Sequence, residues 1–495
     1  MLASLSGGFL LRFLRLLTVS FVGALALAGS AHAMDVGVVD DYGIAPENAT
    51  WFFDNLGDLG MRENRVSIFW DPATPTTIQR KEALDQYVPL ASMRGVRVVF
   101  AVSPTKARDI TENSGRAAQY AAFLQLLART YPSVKDYVVG NEPNQPRFWQ
   151  PQFGRGGVAV SPAAYYGLLA RSYDALKAVD PAITVIGVGL SPRGNDSPTA
   201  RDNRSVSPVR FIAGLGKAYR QARRQRPIMD ELAYHPYPDR DTDSLMKGYR
   251  WPNAGVPNLG RIKQAFWDAF RDTRQPTFRE GTGRGRMAFR LDELGWQVGI
   301  VPAARGAYHG TESVRTTNET SQSGIYNAAL RYLACDASVR SVLFFLLRDE
   351  PDLERWQAGL VRADGSLRPS FGSVKATVAQ TGGRCSGRLR SWRHTTTVAG
   401  AKVRFPKKRV LPARRQTLAL VVNAEEDATV EAGLYRGSRR VLRVRGNVKA
   451  YRSRVVRITN RFRPGRYTIR VTERAALNTT RKKTLSVGLR IAGRR

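Results

Sequence analysis

Residues 136–143 read DYVVGNEP: an apolar run closes on a glycine, and a carboxylate, Glu142, follows between an asparagine and a proline. A run without polar alternation predicts a strand buried on both faces, as in a parallel sheet covered by helices. Glu142 then stands at the tip of a buried strand, where a charge needs a partner or a pocket.

Seven further runs of this kind flank it: DVGVV from Asp35, RVSIF from Arg65, GVRVVFAV from Gly95, ITVIGVGL from Ile183, IMDELAY from Ile228, MAFRLDE from Met287 and SVLFFLL from Ser341. Helical patterns alternate with them. In residues 161–181, Ser161 caps and Pro162 suits the first turn, while Tyr165, Leu169, Leu176 and Val179 share a face before Asp180-Pro181 stops the helix. Residues 114–132 repeat the pattern with Tyr120, Phe123, Leu124 and Leu127 on one face. Eight strand–helix units predict a (β/α)8 TIM barrel, an α/β fold. A doubly wound open sheet is the alternative, but no Gly-rich phosphate loop follows the first strand. Residues 240–260 are too long for an ordinary connection and are expected to shape the face that carries the strand tips.

From about Ala401 the pattern becomes short alternating strands: QTLALVVNA, ATVEAGLYR, RVLRVRG, SRVVRITN and GRYTIRVTE. They predict a small all-β, Ig-like sandwich domain. Before the barrel, Arg12 and Arg15 precede an apolar run from Leu16 to Ala28, and GSAHA then offers a small-x-small cleavage pattern. That run is short of the ~20 residues that span a bilayer. The expected division is a signal peptide at 1–33, a barrel domain at 34–372, a linker at 373–400 and a basic sandwich at 401–495. A secreted, extracellular protein follows, associated with the cell wall if its basic domain binds there. No transmembrane segment is expected.

Export allows Cys335 and Cys385, the two cysteines of the chain, to form one disulfide; two thiols too far apart to meet is the other reading. The cysteines are isolated, and His32, His235, His309 and His394 are scattered. Neither set has the spacing of a metal site, so neither metal nor cofactor is expected. Of the net charge of +36, residues 395–495 supply +22, from 27 Lys and Arg against 5 Asp and Glu. That balance suits attraction to anionic polymers of the cell envelope. Nucleic acid is not expected as a partner: no recognised motif is present, and the basic residues are not interleaved with aromatic ones.

In a barrel the strand tips converge on one pocket. Glu142 follows strand four, and strand seven ends LDELGWQ, which places Glu293 at the corresponding height. Two carboxylates so placed suit cleavage of a glycosidic bond, one protonating the leaving oxygen and the other attacking the anomeric carbon or activating water. Alternation sends Asp292 and Glu293 to opposite sides, so only one should face the pocket, with Asp292 as the fallback.

GNEP after strand four with DELG after strand seven resembles the clan of retaining glycoside hydrolases built on (β/α)8 barrels, of the cellulase and β-xylosidase kind typified by families 5 and 39. The resemblance runs roughly from Asp35 to Phe371 and includes Arg65 at strand two, His235 and Tyr237 in YHPYP, and GLVRADGSLRPSF at the end of the barrel. It implies a hydrolase of O-glycosidic bonds in a polysaccharide or oligosaccharide, a secreted enzyme of polysaccharide degradation. Glu142 is then the acid/base and Glu293 the nucleophile, with Asn141, Arg65, His235 and Tyr237 binding substrate or orienting the acids. Trp149 and Trp296 lie beside the carboxylates in sequence and are expected to stack on sugar faces, core packing being the rival reading. Strand eight lacks the tryptophan that members of the clan often carry, leaving Phe345, or Arg348 and Asp349, to contact the sugar. The alternative function is a non-catalytic carbohydrate- or envelope-binding protein on the same barrel.

Overall fold

The structure, a computed structural model, describes residues 33–493. The expected signal peptide, but for Ala33, therefore lies outside the described residues. Strands β1 (Asp35–Val39), β2 (Glu63–Trp70), β3 (Arg97–Pro104), β4 (Asp136–Val139), β5 (Thr184–Leu190), β6 (Glu231–Tyr234), β7 (Phe289–Leu294) and β8 (Val339–Phe344) pair in parallel in chain order. β8 returns to β1 and closes the barrel, Gly37 facing Leu343 on one side and Glu63 on the other. A Cβ at Gly37 would stand 2.0 Å from the Glu63 carbonyl oxygen, so the closing strand needs a glycine there. The barrel expectation holds strand for strand.

Helices α1 (Pro46–Leu59), α2 (Lys81–Met93), α3 (Arg116–Thr130), α4 (Ser161–Val179), α5 (Pro208–Gln221), α6 (Leu259–Phe270), α7 (Glu319–Ala334) and α8 (Pro369–Thr381) form the outer ring. Their apolar stripes meet the outer side of the sheet in one continuous core that includes Phe52, Phe100, Leu215, Phe266 and Tyr326. Inside the barrel a separate small plug is built from Val99, Ala101, Val138, Ile186 and Ala233. Beneath it Arg290, 1% exposed, donates to Glu231 at 2.5 Å, Glu63 at 2.5 Å and Asp136 at 2.7 Å. Arg97 reaches Glu63 at 2.8 Å from the rim of this floor.

Helix α8 runs to Thr381, past the expected end of the barrel at 372. Its glycines, serines and threonines read as a linker, but Phe371, Val374 and Thr377 are buried on one face of a helix. The chain after it is tied back by a Cys335–Cys385 disulfide, with Cα atoms 4.6 Å apart, and by Met34 N–H donating to the Gly383 carbonyl at 2.8 Å.

The C-terminal part holds β9 (Lys402–Arg404), β10 (Val410–Pro412), β11 (Arg415–Asn423), β12 (Ala428–Arg436), β13 (Arg439–Val448), β14 (Arg454–Arg461), β15 (Gly465–Ala475) and β16 (Lys482–Ala492). They form a five-stranded sheet in the order β10-β16-β15-β12-β13 and a three-stranded sheet β14-β11-β9. Both contribute inward residues, such as Leu420, Val430, Ile458 and Ile469, to one core, which makes a sandwich. Three strands, β9, β10 and β16, go beyond the five expected.

Candidate active site

Glu142 reaches the mouth of the barrel through backbone that few side chains tolerate. Gly140 has φ 77° and Glu142 itself has φ 36°, in the left-handed region. The Glu142 N–H donates at 2.9 Å to the carbonyl of Gly189. That carbonyl is available because β5 bulges against β6, with Val188 at φ 121° and Gly189 at φ 59°.

Arg65 stands in the mouth at the centre of the polar cluster. It donates to Glu293 Oε1 at 2.7 Å and to Asn141 Oδ1 at 2.8 Å, and its Nε lies 3.3 Å from Asp292 Oδ2. His235 Nδ1 is 3.0 Å from Glu142 Oε1 and 3.4 Å from Glu293 Oε2, and its Nε2 is 3.3 Å from Asp292 Oδ1. The Tyr237 hydroxyl donates to Glu293 Oε2 at 3.0 Å. One polar side-chain atom each of Glu142, His235 and Glu293 lies within 4.8 Å of the other two.

Burial opposes the charges of Arg65, His235, Asp292 and Glu142, and the neighbours decide which survive. The His235 imidazole is penalised by burial, but Glu293 and Asp292 beside it push its pKa up to about 10, so both ring nitrogens carry protons at neutral pH. Burial likewise disfavours the Asp292 carboxylate, yet His235 and Arg65 hold its pKa below the usual range. Glu142 goes the other way: burial raises its pKa despite the His235 hydrogen bond. The site therefore holds two cations, Arg65 and His235, against carboxyls of unlike proton affinity.

Alternation along β7 was expected to admit only one of Asp292 and Glu293. Glu293 is the one that faces the pocket; the β7·β8 register shifts between Leu291 and Leu294, and Asp292 still lies against the same two cations from within. Asp292 is 1% exposed and is ion-paired with Arg65 and His235, each 3.3 Å away; Glu293 is 9% exposed at the surface of the pocket. Trp149 and Trp296 are 3% and 1% exposed and offer no face to a sugar. Trp149 meets Tyr165 edge to face at 5.7 Å, and Trp296 donates its indole N–H to the Asp243 carbonyl, so both belong to the core. Asp349 is committed to Arg368 and to the Tyr308 hydroxyl.

The aromatic wall comes instead from Trp356, which lies 4.9 Å from the Tyr237 ring, and Phe345, 5.5 Å from Trp356. Phe345 also lines a cavity of about 520 Å³ with Asp41, Tyr42, Ser67 and Arg348 at the ends of β1, β2 and β8. Trp356, Gly189 and the Asp292 contacts were not singled out from the sequence. A pair of glycines within GVGL was the available signal for the bulge.

No protein-family model and no curated protein matches the chain. Among solved structures it is similar to a family 39 glycoside hydrolase from Bacteroides cellulosilyticus, at 15% identity over 86% of this chain and 81% of that one, with a TM-score of 0.49. It is also similar to a glucosidase from Croceicoccus marinus, at 14% identity over 93% and 97% with a TM-score of 0.48. A monomeric β-xylosidase from Caulobacter crescentus is matched at 13% identity over 90% and 97% with a TM-score of 0.46.

Proposed function

We propose that the chain is a secreted glycoside hydrolase that cleaves O-glycosidic bonds of a polysaccharide or oligosaccharide with retention of configuration. The observation that carries this reading is the approach of Glu142 and Glu293 carboxyl oxygens to within 4.8 Å. Retaining enzymes keep the two carboxyl groups roughly 5–5.5 Å apart, whereas inverting ones leave about 6.5–9.5 Å for a water.

The raised pKa of Glu142 supports the following division of roles. Glu142, with its raised pKa, holds a proton; its Oε1 faces His235, which leaves Oε2 to deliver that proton to the leaving glycosidic oxygen. Glu293 attacks the anomeric carbon as the bond to that oxygen breaks, giving a glycosyl-enzyme ester. Glu142, now a carboxylate, takes a proton from water, whose oxygen attacks the anomeric carbon and frees Glu293. Arg65 and Tyr237 orient Glu293 throughout. Asn141 spends its carbonyl oxygen on Arg65, so its amide NH2 is free to donate to a sugar hydroxyl.

Export is supported by the leader pattern and by the disulfide, and no helix among the described residues is long and apolar enough to cross a membrane. The basic sandwich is the part proposed to hold the enzyme on anionic envelope polymers.

The test is a panel of aryl glycosides and polysaccharides scored for release of reducing ends. Turnover that is lost in Glu293→Ala and returns with azide, giving a glycosyl azide of inverted configuration, is the expected result. A wild-type chain that binds glycans without cleaving any would make it a non-catalytic binding protein instead, and Glu293→Ala with near wild-type rate would remove the nucleophile assignment.

A further inference from the structure

We propose that the outer face of the five-stranded sheet is a binding site for linear acidic polysaccharides, polymers whose uronate carboxylates pair with rows of guanidinium groups. This deepens the reading of the sandwich as an anchoring domain and depends on the glycan-active reading only for the kind of polymer.

Residues paired across neighbouring strands project to the same side of a sheet. The register therefore fixes what this face carries. Gly433 on β12 stands between Arg443 of β13 and Arg470 of β15. In the next row Glu431 faces Arg445 and Thr472, and in the one beyond, Arg474 pairs with Lys482. At the other end Arg466 pairs with Arg490. The inward side of the same strands is apolar but for the pair Glu473 and Lys483, with Val430, Ala432, Ile469 and Val471 buried, so the cations of the outer face point to solvent. Glu431 is the one carboxylate on this face among the described residues, and Arg445 already holds it at 2.9 Å. Arg440 stands 3.6 Å from its other oxygen, whereas Arg443, Arg466, Arg470, Arg474 and Arg490 have no ion pair among the described residues, and their mutual repulsion favours an anion from outside.

The relief of the face suits a chain of sugars. Gly433 has no side chain, and the Tyr435 ring leans across the vacant place, where a Cβ would meet it at 2.6 Å. This leaves a low centre between Arg443 and Arg470. Beside it runs a shallow cavity of about 440 Å³ lined by Thr429, Arg445, Asn447, Thr472, Arg474 and the ion-paired Glu431. Hydroxyl and amide groups at its floor match sugar hydroxyls, while the guanidinium walls match carboxylates, bidentately. A single aromatic ring provides no series of platforms for stacking bases, which favours polysaccharide over single-stranded nucleic acid. The barrel does not cover the face. Its contacts come from residues at the ends of the strands, Asp427, Tyr451, Asn478, Thr480 and Arg481.

The experiment uses the full chain on immobilised polygalacturonate at low salt, with a neutral glucan and a DNA duplex as comparison probes. One variant removes three charges from this face, Arg443→Ser, Arg470→Ser and Arg474→Ser. The other removes three from the opposite sheet, Arg415→Ser, Arg457→Ser and Arg461→Ser. Expected are binding of polygalacturonate but not glucan, a loss on the order of tenfold or more with a shallower salt dependence in the first variant, and near wild-type binding in the second. Equal losses in both variants, or none in the first, would overturn the assignment of the face, as would tighter binding to DNA. A wild-type chain that ignores polygalacturonate would remove the anchoring role itself. Activity on a small aryl glycoside, measured on the same samples, reports separately on the glycosidase reading and confirms that the variants are folded.

Discussion

Glu142 carries the pH behaviour of the site. Burial raises its pKa, and the neighbouring imidazolium lowers it without cancelling that effect. As the proposed proton donor it must be neutral, so kcat/KM should fall as pH rises through its pKa, and that alkaline limb should vanish in Glu142→Gln measured on a glycoside with a good leaving group. An alkaline limb that persists unchanged in the variant would assign the donor elsewhere. His235 titrates above this range. Its folded pKa of about 10 exceeds the ordinary 6.5, so the stability it contributes is complete below about 6.5 and is lost as pH rises through about 10. Which residues meet here was legible in part. Glu142, Glu293, Arg65, Asn141, His235 and Tyr237 follow from strand tips and motif order, and the structure brings all six together. Asp292 was not legible as a partner of the same cluster, because alternation assigns it to the other side of β7, while Arg65 and His235 reach both carboxyls. The tryptophans misled for another reason: Trp149 and Trp296 are neighbours of the acids along the chain, whereas Trp356 reaches the pocket from a loop without periodicity.

At the level of elements, β5 does more than fill a place in the barrel. Its bulge offers the Gly189 carbonyl to Glu142 and brings that glycine against His235, where a Cβ would lie 3.4 Å from Nε2. Gly189→Ala should cost about 1–2 kcal/mol in denaturant unfolding, from the left-handed backbone alone, and should lower kcat as Glu142 shifts. Gly488→Ala, where nothing lies within 4 Å, is the matched control and should be neutral. In the sandwich, Glu473 occupies an inward position of β15, 1% exposed, with neither carboxyl oxygen bonded. Burial pushes its pKa up to about 7 from 4.5. The cost of charging it is absent below about pH 4.5 and complete above about pH 7. Glu473→Leu should therefore stabilise the chain by roughly 1–3 kcal/mol at pH 8 and much less at pH 4.5. Thermal melts at both values check this, and equal gains at the two would mean that the charge is not the cause. The strands themselves were readable from period two and from apolar runs. Helix α8 was not, since its Gly, Ser and Thr content resembles a connector until its buried face is seen.

For the molecule as a whole, the sandwich touches the loop that braces Tyr237 and, through it, the proposed nucleophile Glu293. Tyr451, held at φ 57°, accepts a hydrogen bond from Trp251 N–H at 3.3 Å and lies 5.6 Å beneath the Arg250 guanidinium. The same loop carries Tyr249, whose hydroxyl donates to the Tyr237 carbonyl, and Tyr237 in turn holds Glu293. Tyr451→Ala should lower kcat on a small aryl glycoside by roughly threefold to tenfold while leaving KM nearly unchanged; an unaltered kcat would make the two domains independent in catalysis. The floor of the barrel bears on how the eight strands come together. Glu63, Asp136 and Glu231 arrive on β2, β4 and β6, and Arg97 at the rim reaches the first two but not the third. A ring closed before β7 brings Arg290 among them would bury Glu231 with no ion pair from the first six strands and leave Glu63 and Asp136 to share Arg97. Half-assembled sheets are thereby penalised, and a nascent chain gains little by closing early: the arginine of the seventh strand acts as a latch that admits the finished ring and disfavours its fragments.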